Sequence, residues 1–519
     1  MSMRTRTSAP IAGLLLFLSA WAPAIGQDAA RVRAAVRAWQ QVHDVEVVRE
    51  LATFLAIPNL ASDSVNIRHN ARHLVQLMER RGISARILET PNAPPAVYGE
   101  LRTPGATRTV VFYAHYDGQP VDSSQWMTPP WSPTLRTRVG GDIIPIPTQP
   151  GTVQGEWRLY GRSAGDDKSP IVAFLTALDA LAAANIAPSV NLKFYFEGEE
   201  EAGSSHLRDA LTRHRDLLAA DLWLFGDGPV HQSRRQQVVF GARGVMGLEL
   251  TMYGPARTLH SGHYGNWAPN PLVLMANFVA SMRDIDGKIL IDGFHADVQA
   301  PTRAERDASA VAPSPDSALR SELLLGATEA NNAALMERIM LPALNVRGIS
   351  GGAVGALAAN AVPTIARASI DFRLVPRQTP SRVRALVDAH ARKLGYHVLD
   401  REPTPAERMA HPRILRLDWE GGYPASRTDM SLPLSRAVVR ATEMGTGDRV
   451  VVVPTLGGSL PLFTFDEVLR TPLITLPIVN HDNSQHAANE NLRLQNLFDG
   501  MQVYAGIVAH LGRLWTQTP

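Results

Sequence analysis

The hydrophobic pattern of the chain predicts a mixture of helices and strands. Apolar residues recur with helical spacing at residues 30–55, 68–81, 171–184, 271–282, 380–394 and 489–511. Short apolar runs predict strands at residues 109–114, 190–196, 222–225, 245–252, 365–374 and 473–478. Because strands and helices alternate in the N-terminal half, we expect an α/β fold whose mostly parallel sheet is covered by helices.

The middle of the chain is less regular and predicts a second structural unit. Its helix at residues 271–282 follows Asn270, a good N-cap residue, and its strand at residues 365–374 has alternating character. We therefore predict an α+β domain at residues 247–420. It is inserted between two parts of the first domain, residues 27–246 and 421–519.

The N-terminus has the layout of a signal peptide. Arg4 and Arg6 precede an apolar run at residues 11–22, and small residues follow that run. The run is too short to cross a hydrocarbon core of about 30 Å as a helix. We expect residues 1–26 to be removed. The mature protein would then be exported to the periplasm or secreted, without a stable membrane anchor.

Composition excludes several classes of function. The chain has 51 basic and 49 acidic residues, a formal net charge of +2, and no basic block, so we expect no nucleic-acid partner. It contains no cysteine, which excludes a thiol nucleophile, thiolate zinc sites and disulfides. Stability must therefore rest on the core or on bound metal, and a chain of 519 residues can form a large core.

Several predicted strands end in side chains that ligate cations. His115 and Asp117 follow the strand at residues 109–114, and glutamates occupy residues 199–201 after the next one. Asp227 and His486 follow two further strands. In open α/β sheets, ligands bind outside the carboxyl ends of the strands, so these loops can converge. Clustered carboxylates repel one another unless a cation neutralises them, which favours a metal site.

The segment LYGRSAGDDKSP, residues 159–170, permits two interpretations. Residues 161–165 fit G-x-S-x-G, the turn that carries the nucleophile Ser163 in serine hydrolases. That turn requires a helix directly after the serine, whereas Ser169 and Pro170 are the expected cap and first residue of the next helix. The intervening carboxylates would also oppose an oxyanion. We therefore favour Asp166 as a metal ligand.

With these motifs in order, the chain resembles the co-catalytic di-zinc metallopeptidases. That family includes carnosine dipeptidases, carboxypeptidase G, aminoacylases and succinyl-diaminopimelate desuccinylase. The similarity runs from about residue 51 to the C-terminus, through HYD at residues 115–117, the segment at residues 159–170 and EGEEEAGS at residues 197–204. It implies an α/β catalytic domain interrupted by a lid domain that often forms a homodimer.

The resemblance implies five metal ligands for two divalent ions. They are His115 and Asp227 on one ion, Glu201 and His486 on the other, and Asp166 as the bridge. His486 is preferred because HAANE, residues 486–490, matches the family's His followed by Asn-Glu. Oxygen and imidazole ligands suit zinc foremost, with manganese or cobalt as alternatives.

The resemblance also implies two catalytic residues that do not bind the metal. Asp117 would orient His115, and a carboxylate behind a ligating histidine has this role in many metal sites. Glu200 would be the general base. It would take a proton from the attacking water and return it to the leaving amine.

Five substrate-binding residues follow from the resemblance in the same way. In the lid, His260 of LHSGHYG would reach into the partner's active site of a dimer as a hydrogen-bond donor. Asn360 and Arg373 match positions that bind the backbone and carboxylate of the substrate, and Gly458 and Ser459 match a substrate-binding loop. The dipeptidases commonly have Arg-Glu before these glycines, where this chain has Thr455 and Leu456.

Four functions remain open on the sequence. The first is hydrolysis of a peptide or amide bond next to a free C-terminal carboxylate, by a dipeptidase or carboxypeptidase. The second is deacylation of an N-acyl amino acid at the same site, because an arginine for the carboxylate suits both substrates. A serine esterase at Ser163 and a non-catalytic zinc- or peptide-binding protein are the other two, and an intact Glu200 argues against the last.

Overall fold

The computed structural model describes residues 21–515. The predicted signal peptide therefore lies outside the described residues, apart from its last six residues, which belong to the first helix. No helix within residues 21–515 is both long and apolar enough to cross a membrane.

The chain before residue 244 forms the first part of the larger domain. Its elements are α1 (Trp21–Leu55), α2 (Ser64–Glu79), β1 (Ser84–Leu88), β2 (Ala96–Leu101), β3 (Thr109–His115), β4 (Thr134–Arg136), β5 (Ile143–Ile144), β6 (Arg158–Tyr160), α3 (Lys168–Ala183), β7 (Asn191–Glu197), α4 (Leu207–Arg213), α5 (Arg215–Leu218), β8 (Leu222–Phe225), β9 (Gln237–Val239) and β10 (Gly241–Ala242).

The middle of the chain forms a second sheet with its own helices. Its elements are β11 (Gly244–Tyr253), β12 (Leu259–His260), α6 (Ser261–Tyr264), α7 (Pro271–Met282), α8 (Arg303–Val311), α9 (Asp316–Glu322), α10 (Glu329–Asn332), α11 (Leu335–Ile339), β13 (Ala343–Ser350), β14 (Ala361–Val362), β15 (Ile365–Leu374), α12 (Pro380–Lys393), β16 (His397–Leu399), α13 (Pro405–Ala410) and β17 (Ile414–Tyr423).

The remaining chain returns to the larger domain. It contributes β18 (Ser426–Arg427), α14 (Pro433–Thr446), β19 (Val451–Val453), α15 (Leu462–Leu469), β20 (Leu473–Thr475), β21 (Asn491–Arg493) and α16 (Leu494–Leu514).

The larger sheet has eight strands in the order β1-β2-β7-β3-β8-β20-β9-β19. Its four central strands, β7, β3, β8 and β20, are parallel neighbours. Alternate side chains of β3 enter different cores: Val110 and Phe112 pack on one face, and Val111 and Tyr113 on the other. Helices α1, α3, α14 and α16 contribute to the first core, and α4 and α15 contribute to the second. The predicted α/β fold with helices on the sheet is confirmed.

The second sheet has the order β13-β15-β11-β17-β16 and a separate hydrophobic core. It lies on the chain between residues 244 and 423, so the predicted limits of the inserted domain, residues 247 and 420, fall inside β11 and β17. The chain enters and leaves this unit side by side, because β10 pairs antiparallel with β18 at the crossing. We refer to the second unit as the lid.

Several predicted elements have the predicted bounds, and others differ at their ends. Helix α7 and strands β8 and β15 agree with the sequence pattern. Helix α16 begins at Leu494 instead of residue 489, because Asn491–Arg493 pairs with β6 as a strand. Helix α3 begins at Lys168, with Asp167 at the N-cap position, so Ser169 is not its cap. The buried Lys168 side chain donates to the carbonyls of Phe54 and Ile57, which fixes the first turn against the end of α1.

Candidate active site

The predicted ligands lie at the carboxyl ends of the central strands. His115 is the last residue of β3, and Glu200 and Glu201 follow β7. Asp227 follows β8, and the loop after β20 carries His486. Because these four strands are parallel, their carboxyl ends meet at the same edge of the sheet. The expected convergence is therefore observed.

Six side chains at this edge form two groups that could each hold a cation. In each group the candidate ligand atoms lie within 4.8 Å of one another: His115, Asp167 and Asp227 in one, and Asp166, Glu201 and His486 in the other. Asp166 lies between the groups. Its Oδ1 is 2.8 Å from Nε2 of His115, and its Oδ2 is 3.2 Å from Nε2 of His486. That is the geometry expected of a bridging carboxylate.

The carboxylates of this cluster repel one another when they are ionised. Burial, followed by the charge of Asp166, raises the pKa of Asp227 to about 6 and that of Glu201 to about 7. Burial would also raise the pKa of Asp166, but hydrogen bonds from His115 and His486 outweigh it and hold that pKa below its usual value. Positive charge placed here relieves the repulsion, so the donor set fits divalent cations.

Asp117 connects the two sides of the site. It is fully buried, and its two oxygens accept the backbone N–H groups of Glu200 at 3.1 Å and Glu201 at 3.0 Å. Its Oδ1 also lies 3.4 Å from Nδ1 of His115, whose other ring nitrogen faces Asp166. Asp117 can thus orient His115, as the resemblance implies. It also holds the segment that carries both glutamates.

Ser163 does not have the surroundings of a nucleophile. It is fully buried, and its Oγ accepts a hydrogen bond from Nδ2 of Asn59 at 2.8 Å and lies 3.4 Å from the carbonyl of Asp117. Among the described residues, no histidine or carboxylate side chain is hydrogen-bonded to this hydroxyl. The serine supports the loop that carries Asp166, so the geometry favours the metal interpretation of the segment.

Glu490 is a buried clamp on the loop that carries Asp166. Sequence reasoning did not assign this residue. Its Oε1 accepts the backbone N–H groups of Gly165 and Asp166 at 2.8 and 2.9 Å. Its Oε2 accepts the N–H of Ser163 at 2.9 Å and Nη1 of Arg162 at 2.8 Å. The only sequence signal was its place in HAANE.

Three further side chains at the metal groups were missed. Asp167 belongs to the first group. The sequence analysis assigned only the adjacent Asp166 as a metal ligand, bridging both ions. Gln119 donates to Glu201 Oε2 at 2.7 Å, and Gln485 donates to Asp166 Oδ2 at 2.6 Å. Glutamines carry no pattern that distinguishes them in the sequence.

The predicted substrate-binding residues fall into two places. Arg373 donates from Nη1 to Oγ of Ser459 at 3.0 Å, so these two side chains join the lid to the larger domain, beside Gly458. His260 and Asn360 lie together on the lid, since the N–H of Ser261 donates to the carbonyl of Asn360 at 2.8 Å. His260 is exposed, and within residues 21–515 it makes no hydrogen bond to the metal groups.

Two residues near this lid contact also escaped the sequence analysis. Arg243 donates from Nε and Nη2 to the carbonyl of Gly457 at 2.8 and 2.6 Å. Burial and then the charge of Arg373 lower the pKa of Arg243 to about 10. Burial, followed by the charge of Glu200, raises the pKa of Tyr423 to about 12. Tyr423 lies across β11 from Arg373, because Val245 of β11 pairs with both residues.

Comparison with known families agrees with this geometry. The pattern of the peptidase family M20/M25/M40 matches residues 111–510. The chain belongs to this family. It is therefore a hydrolase of a metallopeptidase family, and the resemblance drawn from its motifs is confirmed.

Individual relatives extend over most of the chain. The Cys-Gly metallodipeptidase dug1 of Schizosaccharomyces pombe is 26% identical over 90% of this chain and 95% of its own length. The human Beta-Ala-His dipeptidase is 25% identical over 81% of this chain and 78% of its own. The solved structure of an M20-family metallo-carboxypeptidase from Sulfolobus solfataricus has 26% identity and a TM-score of 0.72. It covers 90% of this chain and 99% of that one.

Proposed function

We propose that this protein hydrolyses the peptide or amide bond next to a free C-terminal carboxylate, as a dipeptidase or carboxypeptidase. The observation that carries the proposal is the pair of ligand groups around Asp166, with Glu200 next to Glu201 in the chain. The lid residue Arg373, which donates to Ser459 of the larger domain, is the proposed carboxylate contact. The relatives with dipeptidase and carboxypeptidase names support this substrate class.

The residues of the chain divide the work of such a reaction. His115, Asp166, Asp227, Glu201 and His486 would hold two divalent ions, most readily zinc, with Asp167 close to the first. Two such ions, when bound, lower the pKa of a water toward about 7 and polarise the substrate carbonyl.

Glu200 is the side chain placed to move the proton. Burial, with the charges of Asp227 and Asp166, raises its pKa well above the usual value. Two divalent cations beside it would lower that pKa and favour the carboxylate that a general base requires. It takes the proton of the attacking water and returns it to the leaving nitrogen. Asp117 fixes the backbone of Glu200 during both transfers.

Arg373 supplies the recognition of the carboxylate. A guanidinium presents paired donors that match a carboxylate. Ser459 orients the Arg373 guanidinium by accepting a hydrogen bond from its Nη1. Deacylation of an N-acyl amino acid requires the same contact, so it is the second candidate. The chain has Thr455 and Leu456 where dipeptidases commonly have Arg-Glu. This difference favours retaining deacylation as the second candidate.

The decisive experiment is a mass-spectrometric screen of dipeptides and N-acyl amino acids, with metal-loaded wild-type protein and the Glu200→Gln variant. Gln is nearly isosteric but cannot act as a base, so we expect turnover to fall roughly 10²–10⁴-fold while metal content stays unchanged. Glu201→Gln is the matched control, and it should weaken metal binding instead. Near-normal turnover by Glu200→Gln would remove the base from the proposal.

The assembly and location of the protein belong to the same proposal. Residues 345–350 of the edge strand β13 are exposed, and Trp267 and Val273 leave 79% and 57% of their surface exposed, which supports a homodimer through the lid. Light scattering of wild type and Ile349→Lys tests the proposed homodimer, and a monomeric wild type contradicts it.

The proposal of export rests on residues 1–26, and an intact Met1 on the native protein would contradict it.

A further inference from the structure

His486 differs from other predicted ligands in how the fold holds it. His115 is the last residue of β3, and Asp227 closely follows β8, so strand pairing fixes both. His486 stands well beyond Thr475, the end of β20, within residues 480–490, which we call the His486 loop. Its side chain is 55% exposed, whereas that of His115 is fully buried. Contacts outside the sheet must therefore determine where His486 lies.

The backbone of the His486 loop requires such contacts. Ser484, His486 and Asn489 have φ angles of 59°, 61° and 64°, in the left-handed region that residues other than glycine seldom adopt. Conformations of this kind cost free energy and persist where the surrounding structure imposes them. Three such residues in one loop indicate that its shape is set from its base rather than by local preference.

A buried arginine holds the base of this loop. Arg158 of β6 is only 4% exposed, and its Nη1 and Nη2 donate to the two carboxylate oxygens of Asp482 at 3.0 and 2.7 Å. Its Nη1 also donates to Oδ1 of Asn491 at 2.8 Å. One guanidinium thus binds a residue near the start of the loop and the residue just after its end. Bidentate pairing fixes the orientation of the carboxylate as well as its distance.

Buried asparagines extend this anchor towards the ligand. The N–H of Asn491 donates to the carbonyl of Asn483 at 2.8 Å, and both residues are buried. Oδ1 of Asn483 accepts the N–H of Gln485 at 2.6 Å. Gln485, the residue before the ligand histidine, donates from its side chain to Oδ2 of Asp166 at 2.6 Å. Continuous contacts therefore lead from the guanidinium to the second metal group.

We propose that the ion pair between Arg158 and Asp482 positions His486, and thereby sets the affinity for the ion of the second group. Within residues 21–515 the arginine makes no hydrogen bond to either metal group, so it is a positioning residue and not a catalytic one. The first group contains no residue of the His486 loop. The inference rests on the proposed two-ion site, but not on the substrate that is hydrolysed.

Zinc titration of the metal-depleted full chain, by calorimetry with a competing chelator, tests the inference. We expect wild type to bind two ions. In Arg158→Met the affinity for one ion should fall about 10–100-fold, while the affinity for the other changes by less than about threefold. Asp482→Asn repeats the measurement at a side chain that is 40% exposed, so it tests the same ion pair if Arg158→Met fails to fold.

A double variant identifies the residue through which the arginine acts. His486→Ala should weaken the same ion. Adding Arg158→Met to it should change neither affinity by more than about threefold, because two residues that act as one unit are not additive. A general loss of structure would instead weaken binding further in this background.

Arg81→Met is the matched control. Arg81 is also largely buried, and it pairs with Glu50 at 2.8 Å and Asp179 at 2.7 Å, on helices α1 and α3. Its loss should lower stability and leave both ion affinities unchanged, because none of these residues belongs to the His486 loop.

Three results would overturn the inference and leave the hydrolytic proposal standing. They are wild-type affinity for both ions in Arg158→Met and Asp482→Asn, equal weakening of both ions, or a full additional effect of Arg158→Met in the His486→Ala background. A wild type that binds fewer than two ions would contradict the proposed two-ion site itself, and the inference with it.

Discussion

The buried clamp formed by Glu490 offers a sharp test of how the site is built. One carboxylate accepts four hydrogen bonds, three from the backbone of residues 163–166 and one from the guanidinium of Arg162. Glu490→Gln keeps the shape of the side chain but replaces one acceptor oxygen with a donor. Whichever way the amide turns, two of the four donors lose their acceptor in a site without exposed surface.

The expected cost follows from these contacts. A buried hydrogen bond to a charged group contributes about 1.5–3 kcal/mol, so losing two costs about 3–6 kcal/mol. Breaking a buried ion pair from one side gives a similar figure, about 3–5 kcal/mol. The total stability of a domain is about 5–15 kcal/mol, so the variant should fold with a much smaller margin.

Urea unfolding of the metal-depleted variant and wild type measures this cost directly. Metal titration should also show affinity about 10–100-fold lower, because the clamp positions the N–H groups around Asp166. Glu467→Gln is the control, since Glu467 forms an exposed pair with Arg208 and should change stability by less than about 1 kcal/mol. If Glu490→Gln matched this control in both measurements, the clamp would have no energetic role.

Three other predictions test separate parts of the structure. Asp166→Ala should lose metal and activity while Ser163→Ala keeps much of both, and an inactive serine variant that retains its metal would contradict this. Burial lowers the pKa of His73 from its usual 6.5 to about 4, so protonation opposes folding between those values. The contribution of His73 to stability should fall as pH drops from about 6.5 to 4 and be constant above 6.5. In wild type the fall should exceed that in His73→Gln by roughly 1–2 kcal/mol after solvent screening, and equal pH profiles of unfolding would refute this. Arg243→Gln releases the carbonyl of Gly457, so it should raise KM roughly tenfold with a smaller change in kcat. A loss in kcat alone would contradict the inference that Arg243 positions the loop at Gly457.

The sequence predicted those features whose signal is local. Apolar runs identified β3, β7 and β8, and the ligating residues stood directly after them, as His115 and Asp227 do. Parallel pairing then brings those ends together, which is a property of the sheet rather than of any residue. The family motifs added the order in which the ligands occur.

Long-range contacts had no such signal. Glu490 is a single glutamate whose role depends on a loop more than 300 residues away in sequence. Arg243, directly before the first strand of the lid, contacts Gly457, more than 200 residues later in the chain. The early start predicted for the last helix had the same cause, since Asn491–Arg493 becomes a strand only because β6 lies beside it. Pairing partners of this kind are set by tertiary structure and override local pattern.

The paired crossing of β10 and β18 determines how the lid can move. Both connections to the larger domain run side by side, with Gly241 opposite Arg427 and Ala242 opposite Ser426. Two adjacent strands act as a single hinge line, so the lid has one easy rotation and resists twisting or sliding away. At Gly241 a Cβ atom would come within 2.4 Å of the carbonyl oxygen of Ser426. A side chain there would wedge the two strands apart and change the angle at which Arg373 meets the site, without altering any residue that touches the substrate.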